Sequence, residues 1–222
     1  MLQEKQYVSE YKSLVDRLLT ESPRDEAMNR AVGGGDYNQV GETLTKIIED
    51  FGFSAGKRIV DIGCGSGRLS VALSRKYGSR ISYIGKDIVL ELIEYAKEKS
   101  HSSYKFILDT ELTVPASDKS TDFIVFFSVF THLFHEQSFI YLRDSKRALA
   151  EGGRVIFSFL EAKKQWPIFE SIVNLYGRDD VPMTMYLEMP MIEAWCDHLG
   201  LKIENYVAFD APGQSIISVS AI

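Results

Sequence analysis

Asp61-Ile62-Gly63-Cys64-Gly65-Ser66-Gly67-Arg68 is the stretch on which the reading of the fold turns. It begins inside a β-rich run, Ile59-Val60-Asp61-Ile62, and ends where a helical stretch, Arg68–Lys76, begins. Glycine has no Cβ, so Gly63, Gly65 and Gly67 let the backbone bend tightly and approach a ligand closely. The helix that follows offers unpaired N–H groups and the positive end of its dipole. A nicotinamide fingerprint would read GxGxxG, whereas this is GxGxG behind an acid. Asp61 would repel a pyrophosphate but suits an ammonium group, held directly or through water. The expected ligand is zwitterionic rather than a diphosphate.

Outward from this turn the pattern of strand, turn and helix repeats. Ile81-Ser82-Tyr83-Ile84 reads as a second strand, Val89–Lys99 as a helix and Tyr104–Leu108 as a third strand. Phe123–Phe127 is almost wholly apolar, as expected of a central strand covered on both faces. A helix over Glu136–Ala150 is expected to stop at Gly152-Gly153, with a fifth strand over Arg154–Phe159. Strands alternating with helices at this spacing predict an α/β fold with a doubly wound, mostly parallel sheet. At the far end, Pro190–Leu199 reads as a helix closed by Gly200. Leu201–Phe209 and Ser215–Ile222 then flank Pro212-Gly213, as in an antiparallel hairpin.

Upstream of the turn the chain reads as helices. Val8, Tyr11, Val15 and Leu18 give Met1–Thr20 one apolar face. Ser22-Pro23 resembles an N-cap followed by proline at the first helical position, and Gly33-Gly34-Gly35 breaks the helix that results. A third helix carries Val40, Leu44, Ile47, Ile48 and Phe51 inward. The expected organisation is a helical cover or lid over 1–52 and a core over 53–222. Within the core, 161–188 is an aromatic, proline-punctuated insertion facing substrate, with Trp166, Phe169, Tyr176 and Tyr186.

Composition narrows the function classes. The 222 residues are 45% hydrophobic and 25% charged, enough apolar matter for one sizeable core. A net charge of -6 supplies no basic field for nucleic acid. Two cysteines, Cys64 and Cys196, are too few for a disulfide scaffold or a CxxC metal site, so no metal is expected. Met1-Leu2-Gln3-Glu4-Lys5 lacks an apolar signal region, and the uncharged run Phe123–Phe134 is shorter than the roughly 20 residues of a spanning helix. A soluble, cytoplasmic protein without a membrane partner is expected, as a monomer or homodimer.

Two further acids stand where predicted strands end. Asp87, in Ile84-Gly85-Lys86-Asp87, lies about twenty residues past the glycine turn and is placed for both hydroxyls of a ribose. Asp109, in Ile107-Leu108-Asp109-Thr110-Glu111, suits an adenine amino group. With Asp61 they outline an adenosine that carries an amino acid.

These residues resemble the class I S-adenosylmethionine-dependent methyltransferase family over roughly Arg58 to Phe159. VDIGCGSGR is similar to its first motif, Gly85-Lys86-Asp87 to its ribose motif, and Asp109-Thr110-Glu111 with Val114-Pro115 to its adenine segment. Phe127-Ser128-Val129-Phe130-Thr131-His132-Leu133 resembles the motif beside the methyl group. The resemblance implies a seven-stranded sheet with an antiparallel last strand and S-adenosyl-L-methionine as cofactor, converted to S-adenosyl-L-homocysteine. It implies cofactor contacts at Asp61, Gly63, Cys64, Gly65, Gly67, Asp87, Ile88, Asp109, Thr110 and Ser128, while the Cys64 thiol itself reads as a buried filler. An N-terminal segment often covers the methionine end in this family, which brings in Tyr11 and Tyr37. The family's Asn-Pro-Pro-aromatic signature is replaced by Phe127-Ser128-Val129-Phe130, which points away from nucleobases and toward a small-molecule acceptor.

The resemblance further implies in-line attack of an acceptor O or N atom on the sulfonium methyl. His132, after the fourth strand, is the candidate base should the acceptor be a hydroxyl, and His135 a lesser one. Two other readings are a non-catalytic cofactor-binding subunit or sensor and a nicotinamide oxidoreductase. Lys86 stands where the family has a small apolar residue. It alternates away from Asp87, so little effect on the ribose contact is expected.

Overall fold

The computed structural model describes residues 6–164, 166–174, 183–208 and 213–222. The expected positions Tyr176, Phe209 and Pro212 lie outside them. Strands β1 (Arg58–Ile62), β2 (Ser82–Asp87), β3 (Lys105–Leu108), β4 (Thr121–Phe126), β5 (Leu149–Phe159), β6 (Leu201–Val207) and β7 (Ser215–Ala221) form a seven-stranded sheet. Its order is β3-β2-β1-β4-β5-β7-β6, with β7 antiparallel to both of its neighbours. The chain divides into two compact units, Met1–Glu111 and Leu112–Ile222.

In the first unit β1 pairs in parallel with β2, and β2 with β3. Helix α4 (Arg68–Tyr77) follows β1 and α5 (Leu90–Lys99) follows β2. Helices α1 (Gln6–Glu21), α2 (Arg24–Ala31) and α3 (Tyr37–Asp50) precede β1. The apolar stripe of α1 is buried as its spacing predicts, with Val8, Val15 and Leu18 inside. Val15 and Leu18 join Ala27, Met28 and Ala31 of α2 in one cluster with Val89, Leu92 and Tyr95, which lie on or just before α5. This apolar burial seats α1 and α2 against α5, the helix that follows β2. The first turn of α2 departs from expectation. Pro23 itself is the capping residue, at φ -53 and ψ 149, and the helix begins at Arg24.

Helix α3 is capped by Asp36, whose Oδ1 accepts the amides of Asn38 and Gln39 at 3.0 Å each. Its deepest positions are Gly41, Thr45 and Ile48, so Val40, Leu44 and Ile47 are only half-buried. The reason is close backbone packing, since a Cβ at Gly41 would run into the carbonyl of Arg68 on α4.

In the second unit β4 pairs in parallel with β5. Helices α6 (His135–Ala148), α7 (Trp166–Val173) and α8 (Met189–Leu199) accompany these strands. Gly152-Gly153 is no helix stop, because α6 ends at Ala148 and β5 already begins at Leu149. Thr121 pairs with Leu149 and Phe123 with Arg154, so the residues between bulge out of the ladder, with Gly152 at φ 71. Ile124, Val125, Phe126, Val155, Ile156 and Phe157 are fully buried, as a strand pair covered on both faces requires. Gly200 closes α8 in the left-handed conformation, and β6 and β7 form the expected antiparallel pair. Among the described residues no helix is long and apolar enough to cross a membrane.

Candidate functional site

Gly63, Gly65 and Gly67 all have positive φ, at 69°, 54° and 93°. A side chain at Gly65 is excluded twice, by that backbone and by Val32, whose Cγ1 would lie 2.6 Å from an added Cβ. At Gly67 an added Cβ would lie 2.9 Å from the Cβ of Ala96. Cys64 is buried with its sulfur against Gly85, so its thiol fills space, and burial holds that thiol well above its ordinary pKa.

The carboxylate of Asp87 closes the turn. Its Oδ2 accepts the amide of Gly65 at 2.8 Å, while Oδ1 accepts those of Ile88 at 2.7 Å and Val89 at 3.1 Å. Asp87 thus fastens the glycine turn and caps the entrance to α5 at once. Burial raises its pKa, and the three amide bonds work against that rise. Asp61 sits deeper, 3% exposed, and accepts the hydroxyl of Tyr83 at 2.6 Å. Burial pushes its carboxyl up to about 7 despite that bond, and the charge of Asp87 adds to the rise.

At the tip of β3, Asp109 forms an ion pair that the sequence reading missed. Lys86 reaches it with Nζ 2.7 Å from Oδ2. The same ammonium donates to the carbonyl of Glu111 at 2.6 Å. The visible signal was a lysine inside the apolar strand Tyr83-Ile84-Gly85-Lys86, which needs a buried partner. The neighbouring Thr110 carbonyl accepts the hydroxyl of Tyr7 from α1 at 3.5 Å.

Helices α2 and α3 and the loop between them meet the glycine turn through Tyr37 and Arg68. Tyr37 donates to the carbonyl of Ser66 at 2.6 Å. Arg68 Nη2 donates to Asn29 Oδ1 at 2.8 Å, to the Asn29 carbonyl at 3.1 Å and to the Gly34 carbonyl at 2.5 Å. Its guanidinium also lies 5.9 Å from the centre of the Tyr37 ring. Tyr11 packs against the apolar cluster shared by α1, α2 and α5, and its phenol pKa is raised by burial and by the charge of Asp87. The structure therefore brings Tyr11, Tyr37, the glycine turn, Asp87 with Ile88, and Asp109 with Thr110 into one unit.

A sulfonium nucleoside bearing an amino acid fits this donor set. Carboxylates suit hydroxyls and positive charge, and the Cβ-free turn leaves backbone to approach. The hydroxyl of Ser66, fully buried within the turn, has no hydrogen-bond partner among the described residues.

The second unit holds the remaining expected residues. Ser128, just past β4, has φ 60, a strained value for a residue with a side chain. Its amide donates to Ser158 Oγ at 2.7 Å, and its hydroxyl accepts from Gln214 at 2.9 Å. His132 lies in a single 3-10 turn with Nδ1 2.8 Å from the Met183 carbonyl. A carbonyl only accepts, so Nδ1 carries the hydrogen and Nε2 of the neutral ring holds the lone pair. His135 Nε2 similarly meets the Tyr186 carbonyl at 2.9 Å. Glu161, beyond β5, was not singled out from sequence. It is buried and accepts from Tyr206 at 2.5 Å, Lys164 at 2.9 Å and Ser215. Burial raises its pKa, but these donors outweigh burial and hold the carboxyl below its ordinary value. Among the described residues no acidic, histidine or cysteine cluster could hold a metal ion.

Residues 59–153 match the family model of the methyltransferase domain. The demethylmenaquinone methyltransferase of Staphylococcus aureus (strain MRSA252) is 25% identical over 140 residues, covering 62% of this chain and 57% of that protein. The match thus spans little more than half the length of this relative. Among solved structures, the magnesium protoporphyrin IX methyltransferase of Synechocystis PCC 6803 with bound S-adenosylhomocysteine superposes with a TM-score of 0.71. It has 16% identity, over 96% of this chain and 97% of that one. A SAM-dependent methyltransferase of Methanosarcina mazei gives a TM-score of 0.64 at 17% identity, over 79% and 97%. The fold is that of the Rossmann-like methyltransferases. The matched domain and the fold together point to the class I S-adenosylmethionine-dependent methyltransferases.

Proposed function

We propose that this protein transfers a methyl group from S-adenosylmethionine to an O or N atom of a small molecule. The observation that carries the reading is the turn Gly63–Gly67, left-handed at three glycines and fastened to Asp87 through Gly65. When bound, the cofactor supplies an electrophilic methyl on a positively charged sulfur, and the protein supplies position and desolvation. Asp87 and Ile88 would hold the ribose, Asp109 and Thr110 the base, and Gly63, Cys64, Gly65 and Gly67 the methionine portion. Asp61 would act on the ammonium from beneath the turn, and Tyr11 and Tyr37 would cover it. Alignment of acceptor and methyl is worth roughly 7–11 kcal/mol of barrier.

The acceptor is read as small and flat. Trp166 and Phe169 stack with centroids 5.1 Å apart and planes 17° apart, and Tyr186 meets Phe169 edge-on at 5.5 Å. Trp166 is 56% exposed, so the slab has an open side. The names of two relatives, which act on demethylmenaquinone and on a magnesium porphyrin, support a planar acceptor. Ser128 would lie beside the methyl group, and His132 would take the proton of a hydroxyl acceptor through Nε2. The two free, buried cysteines suit a reducing cytoplasm, and the net charge of -6 suits a partner other than nucleic acid. The test is formation of S-adenosylhomocysteine against a panel of quinols, porphyrins, catechols and amines. Acceptor-dependent product is expected; a chain that takes up the cofactor yet turns over none of the panel rejects the acceptor class.

A further inference from the structure

Lys86 is 1% exposed, a cost that a lysine bears only when its charge is paired and hydrogen-bonded. Both conditions are met in one short turn. Its ammonium lies 2.7 Å from Asp109 Oδ2 and donates to the Glu111 carbonyl at 2.6 Å. Asp109 Oδ1 in turn accepts the amide of Glu111 at 3.0 Å. The three contacts fix residues 109–111 around a single cation. The backbone of Lys86 also serves the site, since its carbonyl accepts the amides of Gly63 at 2.8 Å and Cys64 at 3.1 Å. Asp109 itself remains 31% exposed, so its side chain is not sealed from a ligand.

We infer that Lys86 is a positioning residue for the nucleobase: it holds Asp109 where the carboxylate selects a 6-amino over a 6-keto purine. This rests on the proposed function and deepens it. A carboxylate only accepts hydrogen bonds, so it rewards the amino group of adenine and repels the lone pairs of a keto oxygen. Selection of this kind needs the carboxylate fixed in place. A lone aspartate at a strand tip can rotate into water and let either base enter. An ammonium anchored by the Glu111 carbonyl removes that freedom. A small apolar residue at position 86 would leave Asp109 without this anchor.

The experiment is calorimetric titration of the full chain with S-adenosylhomocysteine and with its inosine counterpart, in which oxygen replaces the amino group. The native chain is expected to prefer the adenosine compound by about tenfold or more, the worth of one hydrogen bond to a charged group. Asp109→Asn, whose amide can accept or donate, is expected to lose most of that preference. Lys86→Met is expected to lose it equally, and the double variant to lose no more than either single one. Lys86→Gln retains a donor for Glu111 without the charge and keeps the test usable should Lys86→Met fold poorly; it is expected to behave as Lys86→Met does. Native-like base preference in either folded Lys86 variant, beside a loss in Asp109→Asn, would make Lys86 a structural counter-ion only and overturn the inference. A native chain that binds neither nucleoside overturns the functional reading instead.

Discussion

Tyr37, the first residue of α3, donates its hydroxyl to the carbonyl of Ser66 within the glycine turn at 2.6 Å. Burial pushes this phenol up to about 12, so it stays a donor throughout the neutral range. Tyr37→Phe keeps the ring and removes only the bond, costing about 1 kcal/mol of stability. Because the bond ends on the turn, affinity for S-adenosylhomocysteine should fall several-fold as well. Urea unfolding and calorimetry on the same preparation separate the two effects, and unchanged affinity detaches Tyr37 from the site.

Arg68 ties the start of α4 to α2 and the loop after it. Its Nη2 reaches Asn29 and the Gly34 carbonyl, while Gly33, Gly34 and Gly35 all have positive φ. Among the described residues nothing lies within 4 Å of where their side chains would be. Arg68→Gln is therefore expected to release residues 29–36, with much faster amide hydrogen exchange there than in β1 or β2. Uniform exchange across the unit would mean that the arginine supports global stability instead.

Gly65→Ala tests the turn directly. The left-handed backbone alone costs roughly 1–2 kcal/mol with a Cβ present, and contact with Val32 adds to it. Cofactor affinity should drop below detection. Adding Val32→Ala should recover part of the melting temperature but not the affinity, since the smaller neighbour relieves the clash and leaves φ unchanged.

Asp61 makes stability depend on pH in an unusual direction. Its folded carboxyl titrates near 7 against an ordinary value of 3.8. The folded state therefore binds more protons than the unfolded state between those two values, and stability falls as pH rises through that window. Relative to Asp61→Asn, the native chain should lose about 2–3 kcal/mol between pH 5 and pH 8. Most of that loss should occur below about pH 7, with a plateau above. Urea midpoints for both chains at each pH give the difference, and parallel curves refute the assignment.

His132 divides two kinds of chemistry. If the acceptor is a hydroxyl, His132→Ala should lower kcat by roughly 100-fold or more and remove the pH dependence of kcat that a general base imposes. If it is an amine that reacts unprotonated, kcat should stay within a few-fold. The Met183 carbonyl loses its partner in either case, so melting temperature is expected to fall modestly in both.

The strand, glycine turn and helix around Asp61–Arg68 were legible because each feature is local: an apolar run, three residues without Cβ, then a helical period. The apolar stripe of α1 and the β6–β7 pair were legible for the same reason. What escaped depends on partners far along the chain. Lys86 looked inert because alternation turned it from Asp87, yet its long stem reaches Asp109 beyond the next strand. Glu161 draws its donors from Lys164, Tyr206 and Ser215, two of them far away in sequence. Gly152-Gly153 reads equally well as a helix stop or as a bulge, and only pairing with β4 decides between them. The α3 face was misjudged because an apolar count gives Gly41 no weight, although it sets how closely α3 approaches α4.

Strand β7 lies between β5 and β6, both of which precede it along the chain. A ribosome therefore delivers the fifth and sixth strands before the one that joins them. During that interval each has an open edge where β7 will later dock, exposed to any other extended polypeptide nearby. Chains that stop before Ser215 would lack the joining strand altogether and keep those edges unpaired permanently, so nonsense products of this kind should be insoluble rather than merely inactive.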